Sequence, residues 1–208
     1  MSTFSDLGLH FRLFEAPVTD ACVDKAGACE YCGCEVSMRF EAHCYQCFRA
    51  GHAKHTMDTM YGMVRPVDAA RGLTHGLPMD PERLPDGLAL VPHDVDPEFP
   101  NDHWFHVRCN IDDLVELTRT PGYHTWQGEC WMFCCGRPCV FLGSQSADQL
   151  NDLAAKRSTS GQALIADITS SPTADGASWL EGLQEEQLSL YVFRCLECDR
   201  LVGHWDTD

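Results

Sequence analysis

CEYCGCEVSMRFEAHCYQC, residues 29–47, holds two Cys-x-x-Cys pairs, Cys29/Cys32 and Cys44/Cys47, separated by eleven residues. A third pair of the same spacing, Cys195/Cys198, stands close to the end of the sequence, and Cys135/Cys139 forms a fourth with a wider gap. Four pairs make two sets of four thiolates, and four thiolates in a tetrahedron are the ligand set of a structural zinc ion. The expected sites are therefore Cys29, Cys32, Cys44 and Cys47, and Cys135, Cys139, Cys195 and Cys198, about two zinc ions in all. In the first, two knuckles need only a short hairpin through Val36, Met38 and Phe40 to face each other. His43, directly before Cys44, could displace a cysteine there. The second must be assembled from distant segments, with Cys134 and His204 as substitute ligands. A catalytic zinc keeps one position open and typically uses His or carboxylate ligands, so complete cysteine quartets point to staples first.

Working outward, the chain has 208 residues, 44% of them apolar, enough for a real core in one continuous domain. Its expected divisions are an N-terminal strand and zinc ribbon (1–64), a Pro-rich acidic loop (65–101) and an α+β body (102–208) closed by the C-terminal knuckle. Thirteen cysteines, an odd number, suit ligands better than disulfides. The opening MSTFSDLGLHF has neither a basic nor an apolar region of a secretory signal, and no stretch is apolar enough to span a membrane. These features place the chain in a reducing cytoplasm. Cys22, Cys34, Cys109, Cys130 and Cys134 are left over and read as small buried apolar residues.

The formal net charge is −16, from 31 acids against 15 bases. Two filled tetrathiolate sites would take it to about −20, because four thiolates outweigh a dication by two. Direct nucleic-acid binding is disfavoured, since its affinity comes mostly from Lys and Arg on phosphates. A cationic protein partner is favoured, because opposite fields steer encounter.

Residues 9–20 alternate as a leading strand ending at Pro17. FRAGHAKHTMDTM, after the ribbon, reads as a short helix carrying His52 and His55, which with Asp58 could share a face. Residues 65–101 hold seven of the eleven prolines and little regular structure is expected there. Asn110 caps a helix through residue 119, with Asp112 and Asp113 in its first turn and Ile111, Leu114, Val115 and Thr118 on one face. WMFCC and CVFLG are short strands around a turn at Gly136-Arg137-Pro138. Ser146 to Gln149 is a capping box opening a helix with Leu150, Leu153 and Ala154 inward. Residues 157–178, rich in Ser, Thr and Gly, read as a mobile linker or insertion. LSLYVFRC is the clearest strand and runs into the last knuckle. The fold class is thus α+β, a zinc-stapled domain with a mixed or antiparallel sheet. The aromatics Tyr123, Trp126 and Trp131 read as core and turn packing. No nucleophile elbow, phosphate loop, dinucleotide fingerprint or deaminase motif is present.

RTPGYHTWQGECW, CCGRPCVFLG and YVFRCLECDRLVGHWDTD together resemble the CbrC family of small bacterial cytosolic proteins. Thr120 to Gln127 matches its T-P-G-Y-x-x-W-Q segment, Cys135 to Gly143 its C-x-D-x-C-x-F-x-G segment, and Cys195 to Asp208 its terminal C-x-x-C with G-x-x-D-x-D. CEYCG at 29–33 and CYQCFRAGHA at 44–53 match the N-terminal ribbon. Arg49-Ala50 departs from the family's x-Asp before Gly51, and Tyr45-Gln46 from its Pro-Trp. The resemblance implies no established enzymatic activity and an association with tolerance of bacterial toxins, including a DNase colicin. The expected function is accordingly neutralisation of a cationic toxin by direct binding. Its alternatives are a zinc-ribbon adaptor or regulator in a stress response, and a zinc hydrolase. The expected partner surface comprises Asp80, Glu82, Asp86, Asp94, Asp96 and Glu98 in the loop, with Asp112, Asp113 and Glu116 on the helix.

Overall fold

The computed structural model describes residues 2–53, 64–74, 77–78, 87–92, 103–169, 176–185 and 187–207. In chain order the elements are β1 (Gly27–Ala28), β2 (Glu35–Val36), α1 (Tyr45–Arg49), α2 (Pro66–Ala69), β3 (Leu77–Pro78), β4 (Ala89–Pro92) and β5 (Trp104–Arg108). Then come α3 (Ile111–Leu117), β6 (Phe133–Cys134), β7 (Arg137–Pro138), β8 (Val140–Gln145), α4 (Ala147–Lys156), α5 (Gly161–Thr169), α6 (Gly176–Gln184), β9 (Leu188–Arg194) and β10 (Leu201–Thr207). The fold is α+β with small antiparallel sheets, as expected: β1-β2, β3-β5-β4, β6-β7 and β10-β9-β8.

The last of these sheets organises the molecule. β9 is its central strand, in register with β10 (Val192 opposite Gly203) and with β8 (Phe193 opposite Phe141). Successive strand side chains point to opposite faces, and β9 is buried on both. Leu190 and Val192 pack with Leu150, Ala154, Leu164, Ile165 and Ile168, contributed by α4 and α5. Tyr191 and Phe193 enter the other core, where Tyr123, Trp131 and Phe141 meet them. Tyr123 stacks on Phe141 with ring centroids 4.3 Å apart, and the Trp131 indole N–H donates to the Cys139 carbonyl at 3.0 Å. A second aromatic group, Phe4, Phe11, Phe40 and Phe48, continues this core beneath the N-terminal ribbon, joined to it through Phe4 and Phe14 at 5.4 Å.

Several expectations are corrected. Residues 9–20 form no strand. The segment turns at Phe14, whose N–H donates to Phe11, and meets β8 through Phe141 N–H to Leu13 and Glu15 N–H to Phe141. Phe11, Leu13, Phe14 and Ala16 are all buried, a pattern no strand alternation produces. The Pro-rich stretch contains α2, β3 and β4. Both strands flank β5, and their prolines are tolerated because an edge strand has an N–H side that needs no partner. Residues 157–178 are not simply a linker: α5 inserts Leu164, Ile165 and Ile168 into the second core, and α6 begins at Gly176. α1 stops at Arg49 and Gly51 turns the chain at φ +82°, so His52 lies beyond the helix.

Other elements stand where expected. The Asn110 side chain accepts from Asp112 N–H at 2.8 Å to start α3, and Ser146 and Gln149 cap each other reciprocally before α4. The inward face of α3 differs, however. It presents Asp113, Leu114 and Leu117, while Ile111 is exposed. Asp113 is clamped between Arg12 at 2.6 Å and Arg137 at 2.8 Å, and Glu116 accepts from Arg49 at 2.8 and 3.0 Å. Both were expected on a partner surface and are instead engaged in ion pairs that tie α3 to the N-terminal segment and the β6–β7 hairpin. Asp112 alone of the three is exposed.

Burial works against the Asp113 charge, but the hydrogen bonds and charges of Arg137 and Arg12 outweigh it and hold the carboxyl below its ordinary value. A depressed folded pKa stabilises the fold above the ordinary carboxylate range, and that stability disappears as pH falls through the folded value. Asp113→Asn should cost about 2–3 kcal/mol near neutral pH, less than a fully buried pair because both guanidiniums reach solvent. Urea unfolding should show wild type and variant converging in acid. A second test concerns Gly203, where an added Cβ would lie 2.4 Å from the Tyr191 carbonyl and 2.8 Å from Ile168. Gly203→Ala should destabilise by about 1–3 kcal/mol in the same assay.

Candidate metal centres

Each quartet depends on backbone turns that side-chain size alone would not favour. In the first, Gly33 at φ +74° closes the 29–34 turn, with Gly33 N–H donating to the Cys29 carbonyl and Cys29 N–H to the Cys34 carbonyl. The second knuckle is shaped by Glu41 and Ala42, both non-glycine residues at positive φ. The Asp24 carboxylate holds that turn by accepting Ala42 N–H at 2.6 Å, and Phe40 and His43 exchange backbone hydrogen bonds. Cys44 then precedes α1 and Cys47 lies within it.

The result brings Cys29, Cys32, Cys44 and Cys47 together with all four sulfurs within 4.8 Å of one another. Cys32 and Cys44 sulfurs are 3.8 Å apart. A tetrahedral ion with metal–sulfur bonds of about 2.3 Å sets its sulfurs about 3.8 Å apart. Three of the four are buried and Cys32 is the exposed corner. Burial opposes ionisation of Cys29, but the backbone N–H groups of Cys32, Cys44 and Tyr31 bring it down to about 5. Cys47 is pushed far up, by burial first and then by the neighbouring thiols. Four sulfurs this close cannot all ionise beside one another without a cation to offset them.

The second quartet is Cys134, Cys135, Cys195 and Cys198, again with every sulfur within 4.8 Å of the rest. Cys134 lies 3.8 Å from Cys135 and 3.7 Å from Cys198. Cys195 and Cys198 sit in the turn between β9 and β10, closed by Cys195 N–H to the Arg200 carbonyl. Glu197 N–H donates to the Cys195 sulfur, and the Arg200 N–H leads the groups that lower Cys198 to about 7. Burial heads the causes that raise Cys134.

Cys134 therefore stands where Cys139 was expected. Cys139 is fully buried, donates its N–H to Met132 and has its carbonyl taken by the Trp131 indole. Two consecutive residues reach one site because Cys135 is left-handed at φ +52°, which cancels the strand's alternation and turns both side chains to the same side. The run Cys134-Cys135-Gly136 was the available signal, since a glycine beside paired cysteines marks a tight turn.

The other candidates fall elsewhere. His204 is half-buried beside Tyr123, Tyr191 and Phe193, shares a 2.7 Å hydrogen bond with the Tyr123 hydroxyl, and is pushed by desolvation down to about 4. His43 bonds through Nδ1 to the Glu41 carbonyl, and His52 stacks on Tyr31 at 3.6 Å. Cys22 and Cys34 are exposed and Cys109 and Cys130 half-buried, so the spare cysteines are not uniformly core. Tyr123 and Trp131 are core residues as expected, whereas Trp126 is 55% exposed. His55, Asp58, Asp80, Glu82, Asp86, Asp94, Asp96 and Glu98 lie outside the described residues. No helix among those described is long and apolar enough to cross a membrane.

A family model described as "Uncharacterised protein family (UPF0167)" matches residues 9–207. The UPF0167 protein PA1536 of Pseudomonas aeruginosa is 33% identical over 92 residues, 43% of this chain and 48% of that protein, so the match spans about half the relative's length. No solved structure matches. The family found is named differently from CbrC, so the CbrC assignment is withdrawn, and with it the colicin association that it implied. With nearly the whole sequence covered by the family model, the chain belongs to the UPF0167 family.

Proposed function

We propose that this protein carries two structural zinc ions and works by binding, its partner being a cationic protein, with a basic toxin such as a nuclease as the specific case. The observation that carries the metal reading is the sulfur spacing of 3.7–3.8 Å in both quartets. All-thiolate tetrahedra suit zinc or iron, and the backbone N–H donors on the sulfurs support ionised ligands. Four cysteines complete each coordination shell, which favours a staple over a hydrolytic centre with an open position. An adaptor role would use the same acidic chemistry on a different partner.

The partner reading rests on the net charge of −16. With Asp113 and Glu116 engaged internally, Asp112 and the sequence's acidic residues Asp80, Glu82, Asp86, Asp94, Asp96 and Glu98 remain candidates. The first ribbon adds another: Glu30 and Glu35 are exposed beside Tyr31, itself 61% exposed, next to a centre that would carry two net negative charges when filled.

Protein purified without added metal should return two zinc ions per chain by elemental analysis, matching the two quartets. Iron in their place would reassign the metal, and a folded metal-free chain would remove the staple reading. Cys195→Ser should lower the melting temperature far more than Cys22→Ser, since a lost ligand forfeits binding energy on the order of several kcal/mol that is also folding energy. Equal melting temperatures for the two would contradict it.

The partner is tested with a purified basic nuclease domain of a bacterial toxin. Replacing Asp94, Asp96 and Glu98 by Lys, or separately Glu30 and Glu35, should slow association and flatten its salt dependence, as charges at an interface rim do. Unchanged rates in both variants would place the contact elsewhere, and absence of binding by wild type would leave the adaptor reading.

A further inference from the structure

Trp126 is 55% exposed, yet the backbone that carries it is firmly held. Its N–H and that of Gln127 donate to the Asp206 carboxylate at 2.8 and 3.2 Å, and Asp206 is itself buried on β10. The Gln127 amide donates to the Thr207 carbonyl at 2.7 Å, and Gly128 N–H to the Thr125 hydroxyl at 2.7 Å. The ring is therefore not in solvent because its segment is loose. A flat apolar ring fixed in the open forgoes the burial free energy that a core position would give. Among the described residues no aromatic ring stacks on it and no acceptor meets its indole N–H.

Trp126 lines a cleft of about 560 Å³ between the end of β8, the start of α4 and the end of α6, a volume within the range of small-molecule sites. Leu183 and Leu188 supply more of its apolar wall. Three of its polar side chains are taken up by the fold: Gln145 donates to the Leu142 and Gly143 carbonyls, and Ser146 and Gln149 cap each other. Three others are exposed and carry no side-chain hydrogen bond or ion pair to the described residues: the Ser144 hydroxyl, the Asp148 carboxylate and the Gln184 amide. Among the described residues that line the cleft there is no Lys, Arg or His, so nothing there draws a phosphate or carboxylate by charge. Asp148 is the charged group among them, and it stands in the first turn of α4, where the helix dipole offsets it.

We propose that this cleft binds a neutral sugar ring, with the C–H face of the sugar on Trp126 and its hydroxyls on Asp148, Ser144 and Gln184. Each sugar hydroxyl both donates and accepts. A Ser hydroxyl and a Gln amide do the same, and a carboxylate can accept from two hydroxyls at once. The indole supplies a large, rigid, flat surface at low cost in conformational entropy. Because Asp206 already fixes the Trp126 backbone, little ordering remains to oppose binding. The cleft shares no residue with either quartet, so the inference does not depend on the metal reading.

The test is a magnetic-resonance titration of the isotope-labelled full chain. The chain has five tryptophans, and the Trp126 indole signal is the one lost in Trp126→Phe. Glucose, galactose, mannose and N-acetylglucosamine are added separately, with maltotriose and chitotriose beside them. At least one should move the Trp126 signal saturably at tens of millimolar or below. Tighter binding of a trisaccharide than of its single ring assigns the site to a glycan, and equal binding assigns it to a free sugar. Trp126→Ala should abolish binding and Asp148→Asn should weaken it about tenfold, both with melting temperatures close to wild type because the two side chains are exposed. Trp126→Phe, which keeps an aromatic surface, should retain binding and guards against a misfolded alanine variant. Tetramethylammonium and sulfate serve as the charged probes and should leave the signal in place. Absence of saturation by every sugar, a response to either ion where no sugar gives one, or sugar binding that survives in Trp126→Ala would each overturn the proposal.

Discussion

Mutual repulsion among closely set sulfurs is the constraint on which the rest of this structure depends. Each quartet holds four ionisable thiols within 4.8 Å of one another. The ease of ionisation is divided unevenly inside each, with Cys29 and Cys198 brought down and Cys47 and Cys134 pushed up. Such a set titrates as a unit rather than as four independent groups. A dication removes the conflict by letting every sulfur ionise. Since the assembled site does not exist in an unfolded chain, the metal's binding energy becomes folding energy. With a metal held in them, affinity and fold stability would be one quantity at these two places.

The two quartets sit where that coupling reaches furthest. The first lies within the ribbon whose Phe40 and α1 residue Phe48 join Phe4 and Phe11 in the aromatic core. The second joins the β6–β7 hairpin to the turn between β9 and β10. Because β9 is buried on both faces, fixing its end fixes two cores at once. Around the second quartet, Arg137 bridges Asp113 and Glu197, and Arg194 pairs with Glu15 and Asp199. The same hairpin and knuckle are thus tied to α3 and the N-terminal segment. Asp206, 2% exposed, accepts from the N–H groups of Trp126 and Gln127 and ties the aromatic segment to β10.

What could be read from the sequence divides by the distance over which the deciding interaction acts. The first quartet, the Asn110 cap and the Ser146–Gln149 box were legible because each is decided within one short continuous stretch of sequence. The second quartet needed a partner 60 residues away, and the wider Cys135/Cys139 spacing hid the left-handed backbone that lets Cys134 and Cys135 act together. Residues 157–178 looked like a linker because Ser, Thr and Gly dominate the composition. Leu164, Ile165 and Ile168 become decisive only once β9 and β10 offer them a face. The helical acids misled for the same reason: Asp113 and Glu116 look solvent-facing until Arg12, Arg49 and Arg137 arrive from other segments.

That relocation of charge has a consequence for partner recognition. An acid paired with an internal guanidinium contributes little field at a distance, because the pair is nearly neutral and salt screens what remains. Long-range attraction of the proposed cationic partner would come from acids without such a neighbour and from the thiolate centres when filled. Cys32 is the exposed corner of the first centre, and Glu30, Tyr31 and Glu35 are exposed around it. In the proposed zinc-loaded state, the two net negative charges of the first centre would add to those of Glu30 and Glu35 at one exposed corner. A cationic partner drawn there by charge would cover Cys32 and shield the first centre from solvent.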